Sequence, residues 1–286
     1  MVQPHDRGSG SRPSRSLRAA LDAAPDELRE LLALAVDLAK AAGRIHEEGM
    51  RTDLRLETKA SPTDLVSQID RQAEEMIVSR LRETRPLDGM LGEEGASTEG
   101  TSGVRWVIDP LDGTTNYVYG YPAFAVSIAV EIEGTPRLGV VYDSSRGLLY
   151  QAIAGFGAFE DDRPIAAREQ PDLSQALVAT GFSYVAAHRT RQGAATAAVL
   201  GRVRDIRRGG TAALDLCHVA AGHVDAYWEL DLSPWDYAAG SVIASEAGAH
   251  VLLAPASLGK GPAVVAAHPS LMPAFVELLR DAGALS

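Results

Sequence analysis

Apolar side chains at Leu28, Leu31, Leu32, Leu34, Ala35, Leu38 and Ala42 recur every three or four residues, the period of one helical face. Pro25 stands where a helix tolerates a residue without an N–H. The pattern predicts a helix over 26–48. Leu65, Ile69, Ala73, Met76, Ile77 and Leu81 repeat the spacing and predict a second helix over 65–82, entered through the turn-forming run Ser61-Pro62-Thr63-Asp64. From Val104 the texture changes to short β-rich runs bounded by Gly, Pro or Asp. Strands are predicted at 104–108, 123–132, 138–142 and 148–153, paired antiparallel in part. Further on, strand-like runs at 176–180, 205–207, 225–229, 251–253 and 263–266 alternate with helical patterns over 189–201, 211–221, 235–247 and 269–282. Such alternation predicts an α/β layered protein with two sheets. A soft boundary is placed at 161–173, inside one domain spanning 25–286. Residues 1–24 are expected to form a flexible tail, because the stretch Met1 to Ser16 is rich in Arg, Ser, Gly and Pro and has no apolar segment of signal-peptide type.

Composition narrows the chemistry. An apolar fraction of 46% over 286 residues is enough to fill a sizeable core. Lys and Arg number 27 against 38 Asp and Glu, a net charge of −11, the wrong sign for tracking nucleic acid or anionic lipid. No window of about 18 residues is apolar and free of charge, so no membrane span is predicted. Cys217 is the single cysteine, which excludes an internal disulfide and a cysteine zinc cluster and fits a reducing, cytoplasmic location. If the ligand of so acidic a chain is itself an anion, a bound divalent cation is the simplest source of local positive charge.

Carboxylates cluster beside turns in four places: Asp64 with Asp70, the run Gly92-Glu93-Glu94-Gly95, the run Asp109-Pro110-Leu111-Asp112-Gly113-Thr114-Thr115-Asn116, and Trp235-Asp236. In the third, a strand is expected to end at Asp109 with Pro110 stopping the ladder, and Gly113-Thr114 opens a helical turn suited to an anion. Hard cations such as Mg²⁺ take carboxylate and carbonyl oxygens, so Asp109 can bridge two ions whose shells Asp112 and the Leu111 carbonyl help complete. Asp, Pro and Gly are also ordinary turn formers. Glu93-Glu94 alone describes a solvated loop pair, and Asp236 alone describes an acid favoured in the first turn of a helix. The co-occurrence of the four clusters is what favours a metal site.

These residues resemble a known family. The run from Trp106 to Asn116, continuing through Gly120-Tyr121-Pro122 to Ser127-Ile128, is similar to the first motif of the inositol monophosphatase family, and Trp235-Asp236 through Gly240 with Glu246-Ala247-Gly248 is similar to its second. Lys59 to Val66 with Asp70, Leu91 to Glu94, and Gly210 to Ala213 stand in the family's order, and the segment from Arg207 to Cys217 resembles actinobacterial-type members. The resemblance covers about Pro25 to Ala282 and implies an αβαβα layered fold, a homodimer and sensitivity to lithium. It implies two to three Mg²⁺ ions per site: Glu93, Asp109 and the Leu111 carbonyl on the first, Asp109, Asp112 and Asp236 on the second, and Glu93 reaching a weaker third. Asp70 and Thr114 match the pair that orients and activates the attacking water. Glu229 matches the acceptor of a substrate hydroxyl, Gly210, Thr211 and Ala212 line the polyol pocket, and Glu93, Asp112, Gly113, Thr114 and Asp236 also face the substrate.

The expected reaction is hydrolysis of a small phosphate ester, myo-inositol 1-phosphate first among candidates, by metal-activated water. Fructose 1,6-bisphosphate, histidinol phosphate and 3′-phosphoadenosine 5′-phosphate are the alternatives, along with an added non-catalytic role beside the transcription machinery. Glu229 with the 210–212 segment favours a neutral polyol, because a carboxylate accepts from hydroxyls and repels a second phosphate. Gly155-Phe156-Gly157 reads as a turn between strands, lacking the third glycine of a dinucleotide fingerprint. His218 and His223, five apart, do not share a helical face as metal ligands do. Trp106, Trp228 and Trp235 flank motif positions and are expected to pack behind the site. Arg202, Arg204, Arg207 and Arg208 form the one basic cluster and read as a solvated face or subunit contact, with phosphate steering or a nucleic-acid contact as the alternative.

Overall fold

A computed structural model of the chain describes residues 16–50, 56–58, 65–255, 259 and 261–286, with the strands Leu56–Thr58 and Leu65–Ser67 described by backbone alone. Expectations that fall on 1–15 and on the run from Lys59 to Asp64 lie outside the described residues.

The helix Asp26–Gly49 buries Leu28, Leu31, Leu32, Ala35, Leu38 and Ala42, the stripe set by the sequence period. With the helix Gln68–Thr84 it covers one face of a mixed sheet, against Trp106, Ile108, Val126, Ile128 and Val140. Among the described residues that sheet has eight strands, in the spatial order Arg163–Pro164, Gly157–Glu160, Leu148–Ile153, Thr135–Asp143, Ala125–Ile132, Val104–Asp112, Gly89–Gly92, Ser97–Thr98. Side chains alternate between faces along each strand, so Val107, Ala125, Ala129 and Val141 point the other way, onto the helices Ala212–Ala220 and Pro234–Glu246. Below these helices lies a five-stranded sheet in the order Asp205–Arg207, Leu177–Thr180, Ala226–Leu230, Pro262–Ala267, His250–Pro255. Its far face, with Val178, Trp228 and Val265, packs on Val199 of the helix Ala186–Leu200 and Phe275 of the helix Met272–Asp281. The layers are αβαβα. The chain passes from the first sheet to the second between Pro164 and Leu177.

The middle helical layer sits close to the upper sheet because small residues allow it. A Cβ at Gly139 would come within 2.3 Å of the Ala239 carbonyl oxygen, so Gly139 lets the helix Pro234–Glu246 rest its backbone on the strand Thr135–Asp143.

Three expectations need correction. The tail gives way to structure before residue 25: Leu17–Ala23 is helical, capped by Ser16, with Ala20 and Ala24 buried. The second helix starts at Gln68, because Leu65–Ser67 pairs with Leu56–Thr58 as a hairpin, so the apolar residue at 65 belongs to a strand. Pro110 does not end the strand Val104–Asp112. Asp109 pairs with Ser127 and Asp112 with Ala125, and the ladder shifts register between them, so the proline sits in a bulge instead of a stop. The short strands Gly89–Gly92, Ser97–Thr98, Gly157–Glu160 and Arg163–Pro164 were not anticipated. Gly155-Phe156-Gly157 is indeed the turn between strands Leu148–Ile153 and Gly157–Glu160, and the Glu246 carboxylate accepts from the Gly155 and Gly157 N–H groups, each at 2.8 Å.

Candidate active site

Parallel strand pairs bring acids or their supports side by side at two places, just beyond the end of the shorter strand. Gly89–Gly92 runs parallel to Val104–Asp112, with Gly92 opposite Ile108, so the next residues are Glu93 and Asp109; the Glu93 N–H donates to the Ile108 carbonyl at 3.2 Å. In the lower sheet Thr180 lies opposite Trp228 in a parallel pair, so the next residues are Gly181 and Glu229. Carboxyl ends of parallel strands are where α/β sheets open crevices for ligands.

Around the first pair the predicted acids gather. Asp70 is buried in the first turn of the helix Gln68–Thr84, and oxygens of Asp70, Glu93 and Glu94 lie within 4.8 Å of one another, close enough to share a metal ion. Burial, with the charges of Glu93, Asp112, Asp236 and Asp70, raises the Asp109 carboxyl well above the usual carboxylate range. Burial lifts Asp112 to about 7, with Glu93 and Asp215 adding to it and bonds from the Thr211 hydroxyl and the Ala213 N–H opposing. Asp236 is raised well above the usual range by burial and then by Glu93 and Asp112, against the pull of the Ser233 N–H, which donates to it at 2.6 Å. That bond is the helix-start role the sequence allowed for Asp236, and the residue nevertheless faces the other acids. Asp109, Asp112 and Asp236 lie outside the tight triplet but inside its field, and Glu94 joins the triplet unforeseen.

Thr114 follows Gly113, whose φ of 93° lets the chain turn from the bulge into the helix Thr114–Tyr119. Its Oγ1 lies 3.1 Å from Asp70 Oδ2 and 3.0 Å from the Leu111 carbonyl oxygen, so its proton serves one or the other. The Ala213 N–H donates to Asp112 Oδ2 at 2.8 Å, and Asn116 Nδ2 donates to the Gly209 carbonyl at 2.9 Å. These bonds bring Gly210, Thr211 and Ala212 against the carboxylates. Thr211 also caps the helix Ala212–Ala220 by accepting from the Leu214 N–H. Burial lifts Glu229 to about 8, with Asp215 and Asp112 adding to it and the Tyr227 hydroxyl and Arg208 opposing. The field of Asp112 at Glu229 links the two strand ends. A cluster of buried acids that raise one another is unfavourable without a counter-charge, and an all-oxygen set of this kind suits a hard divalent cation.

Several supporting residues were not among the site residues expected from the sequence. Glu74, one helical turn after Asp70, accepts from the N–H groups of Glu94 and Ala96, both at 2.9 Å, and so fixes the turn that presents Glu93. His46 is fully buried against Tyr117 and Phe124. Its Nε2 lies 3.0 Å from the Pro110 carbonyl oxygen, which can only accept, so the proton is on Nε2 and Nδ1 accepts from the Ser144 hydroxyl at 2.9 Å. Burial holds this imidazole neutral, its pKa lowered to about 4. Arg208, placed in the sequence among surface arginines, acts on Glu229, Asp215 and the half-exposed Tyr184. An i, i+4 spacing from Asp70 could have flagged Glu74; the others depend on contacts far apart in the chain.

The family model for the inositol monophosphatase family matches residues 27–284. The inositol-1-monophosphatase of Mycobacterium leprae is 42% identical over 233 residues, covering 78% of this chain and 80% of that protein. The chain belongs to the inositol monophosphatase family. The family also contains a relative named Nus factor SuhB from Vibrio cholerae, 37% identical over 261 residues, covering 90% of this chain and 98% of that protein. Extragenic suppressor protein SuhB from Bartonella henselae superposes with a TM-score of 0.79 at 36% identity, covering 88% of this chain and 98% of that one. Membership in the inositol monophosphatase family agrees with phosphate-ester hydrolysis and with the acidic cluster. Among the described residues no helix is long and apolar enough to cross a membrane.

Proposed function

We propose that this chain is a Mg²⁺-dependent phosphatase of a polyol monophosphate, with myo-inositol 1-phosphate its preferred substrate. The observation that carries the proposal is the convergence of acids from separate parts of the chain: Asp70, Glu93 and Glu94 lie within reach of one ion, and Glu93, Asp112, Asp236 and Asp70 all act on the buried Asp109. Glu93, Asp109, the Leu111 carbonyl, Asp112 and Asp236 would hold two to three Mg²⁺ ions. When bound, such ions supply Lewis acidity toward phosphoryl oxygens and acidify water.

The chain's own groups do the rest. Thr114, with its proton directed to Asp70 Oδ2, presents a lone pair to water; a water donating to that lone pair passes its proton toward the Asp70 carboxylate. The first N–H groups of the helix Thr114–Tyr119 have no side-chain cap and are offered with Gly113 to phosphoryl oxygens. His46 and Glu74 hold the Pro110 and Glu93 turns still, so that little reorganisation is needed when substrate arrives. Gly210, Thr211, Ala212 and Glu229 take the polyol end, and Glu229 disfavours esters with a second phosphate there.

Lithium inhibition, a homodimer and a cytoplasmic location follow from the family resemblance and belong to the same proposal. The test is phosphate release from myo-inositol 1-phosphate, fructose 1,6-bisphosphate, histidinol phosphate and 3′-phosphoadenosine 5′-phosphate, with and without Mg²⁺. Preference for the inositol ester in Mg²⁺ supports the proposal, and a stronger rate on another ester moves the substrate there. The Nus-factor name of the Vibrio cholerae relative favours an added role with the transcription machinery. Retention of RNA polymerase by the purified chain would support that role, and its absence would remove it.

A further inference from the structure

The polyol end of the site depends on where one carboxylate is held. Glu229, next to last in the strand Ala226–Leu230, lies beside Gly181, the residue after the parallel strand Leu177–Thr180. A Cβ on Gly181 would lie 2.0 Å from Glu229 Oε2 and 2.2 Å from Oε1, so the carboxylate rests directly on the glycine Cα. Any larger residue would push it away. On its other side the buried Tyr227, two residues earlier on the same strand face, donates from its hydroxyl to Glu229 Oε2 at 2.9 Å. Among the described residues no hydrogen bond reaches Oε1, which is left for a ligand.

We infer that Gly181 and Tyr227 are positioning residues that seat Glu229 with one oxygen presented to substrate hydroxyls, and that this seat sets the preference for polyol phosphates over esters without hydroxyls. The inference rests on the proposed polyol-phosphatase function. Neither residue touches the phosphoryl group, so the seat acts on selectivity more than on phosphate transfer itself. A buried acceptor held by one hydrogen bond loses about tenfold or less in ligand preference when that bond is removed. A side chain forced into the seat displaces the carboxylate altogether and costs more.

The experiment uses the full chain and reads kcat and KM for myo-inositol 1-phosphate and for p-nitrophenyl phosphate in Mg²⁺, with circular dichroism confirming the fold. Tyr227→Phe keeps the ring and removes the donor; the selectivity ratio of inositol ester over aryl ester is expected to fall about fivefold, chiefly through KM for the inositol ester. Gly181→Ala is expected to lower that ratio further, and combining it with Glu229→Gln should add little, since both act on one carboxylate. Equal losses on the two esters, an unchanged ratio in Tyr227→Phe, or full additivity with Glu229→Gln would overturn the seat. If the wild-type chain hydrolyses p-nitrophenyl phosphate but no polyol phosphate, the function falls and the inference falls with it. If it prefers the polyol ester and Tyr227→Phe keeps that preference, only the inference falls.

Discussion

The two strand ends that form the site are built differently. At the upper sheet, acids from four places crowd together, and burial with the charges of Glu93, Asp112, Asp236 and Asp70 raises the Asp109 carboxyl. At the lower sheet one acid, Glu229, sits in a fitted seat of Tyr227 and Gly181 with Arg208 near by. The first arrangement is costly unless a counter-charge offsets it. The second is held in place by the protein's own groups through one oxygen, with the other left open.

Substitutions should separate the two ends. Asp109→Asn removes a charge shared by the crowded cluster, and turnover is expected to fall by about 10³-fold or more on every ester alike. The fold should survive, and without metal the variant should melt above the wild type, because a buried carboxyl whose ionisation is opposed by burial and four neighbouring acids is gone. Steady-state kinetics on two esters and a thermal melt in chelator check this, and a substrate-selective loss would blur the contrast between the ends. Asp70→Asn is expected to lower kcat by about 10²-fold while the Mg²⁺ concentration for half-maximal rate stays closer to normal, which a Mg²⁺ titration of activity reads.

His46 tests the scaffold of the crowded end. Its folded pKa is lowered to about 4 while the unfolded value is 6.5, so between these values the unfolded chain binds the proton that the folded chain refuses. The stability due to this neutral imidazole is fully present above pH 6.5 and is lost as pH falls toward 4, a difference of about 3 kcal/mol. Urea unfolding of wild type and His46→Gln at pH 7 and pH 5 should show the wild type losing more between the two. Parallel losses would remove His46 from the account. The smallest effect is expected at the cap: Thr211→Ala should cost about 1 kcal/mol by urea midpoint and weaken binding of the polyol ester slightly.

Legibility followed the same division. The end of the bulged strand and the helix start after it carry Asp109, Asp112, Gly113 and Thr114 within six residues, so the chemistry of the crowded end was local enough to read, and the long periodic helix Asp26–Gly49 was equally plain. Strands of two to four residues such as Gly89–Gly92 and Ser97–Thr98 are too short for a period to show, although the first of them delivers Glu93. Leu65 misled the helix boundary because its spacing fits either element. The carboxylate seat was not legible at all. Gly181 and Glu229 are brought together by parallel strand pairing, and nothing in their neighbours along the chain says which glycine must lie against which acid. His46 and Pro110 are likewise joined only by the packing of a helix on a sheet.

The central claim is that the clustered acids act through bound Mg²⁺, and calorimetric titration of Mg²⁺ into the chelator-stripped protein, followed by phosphate release in the same samples, tests it most directly. The account predicts saturable binding heat in the wild type, none at Asp109 once it is replaced by Asn, and hydrolysis that stops in excess chelator and returns with Mg²⁺. Phosphate release that continues undiminished in excess chelator would contradict it.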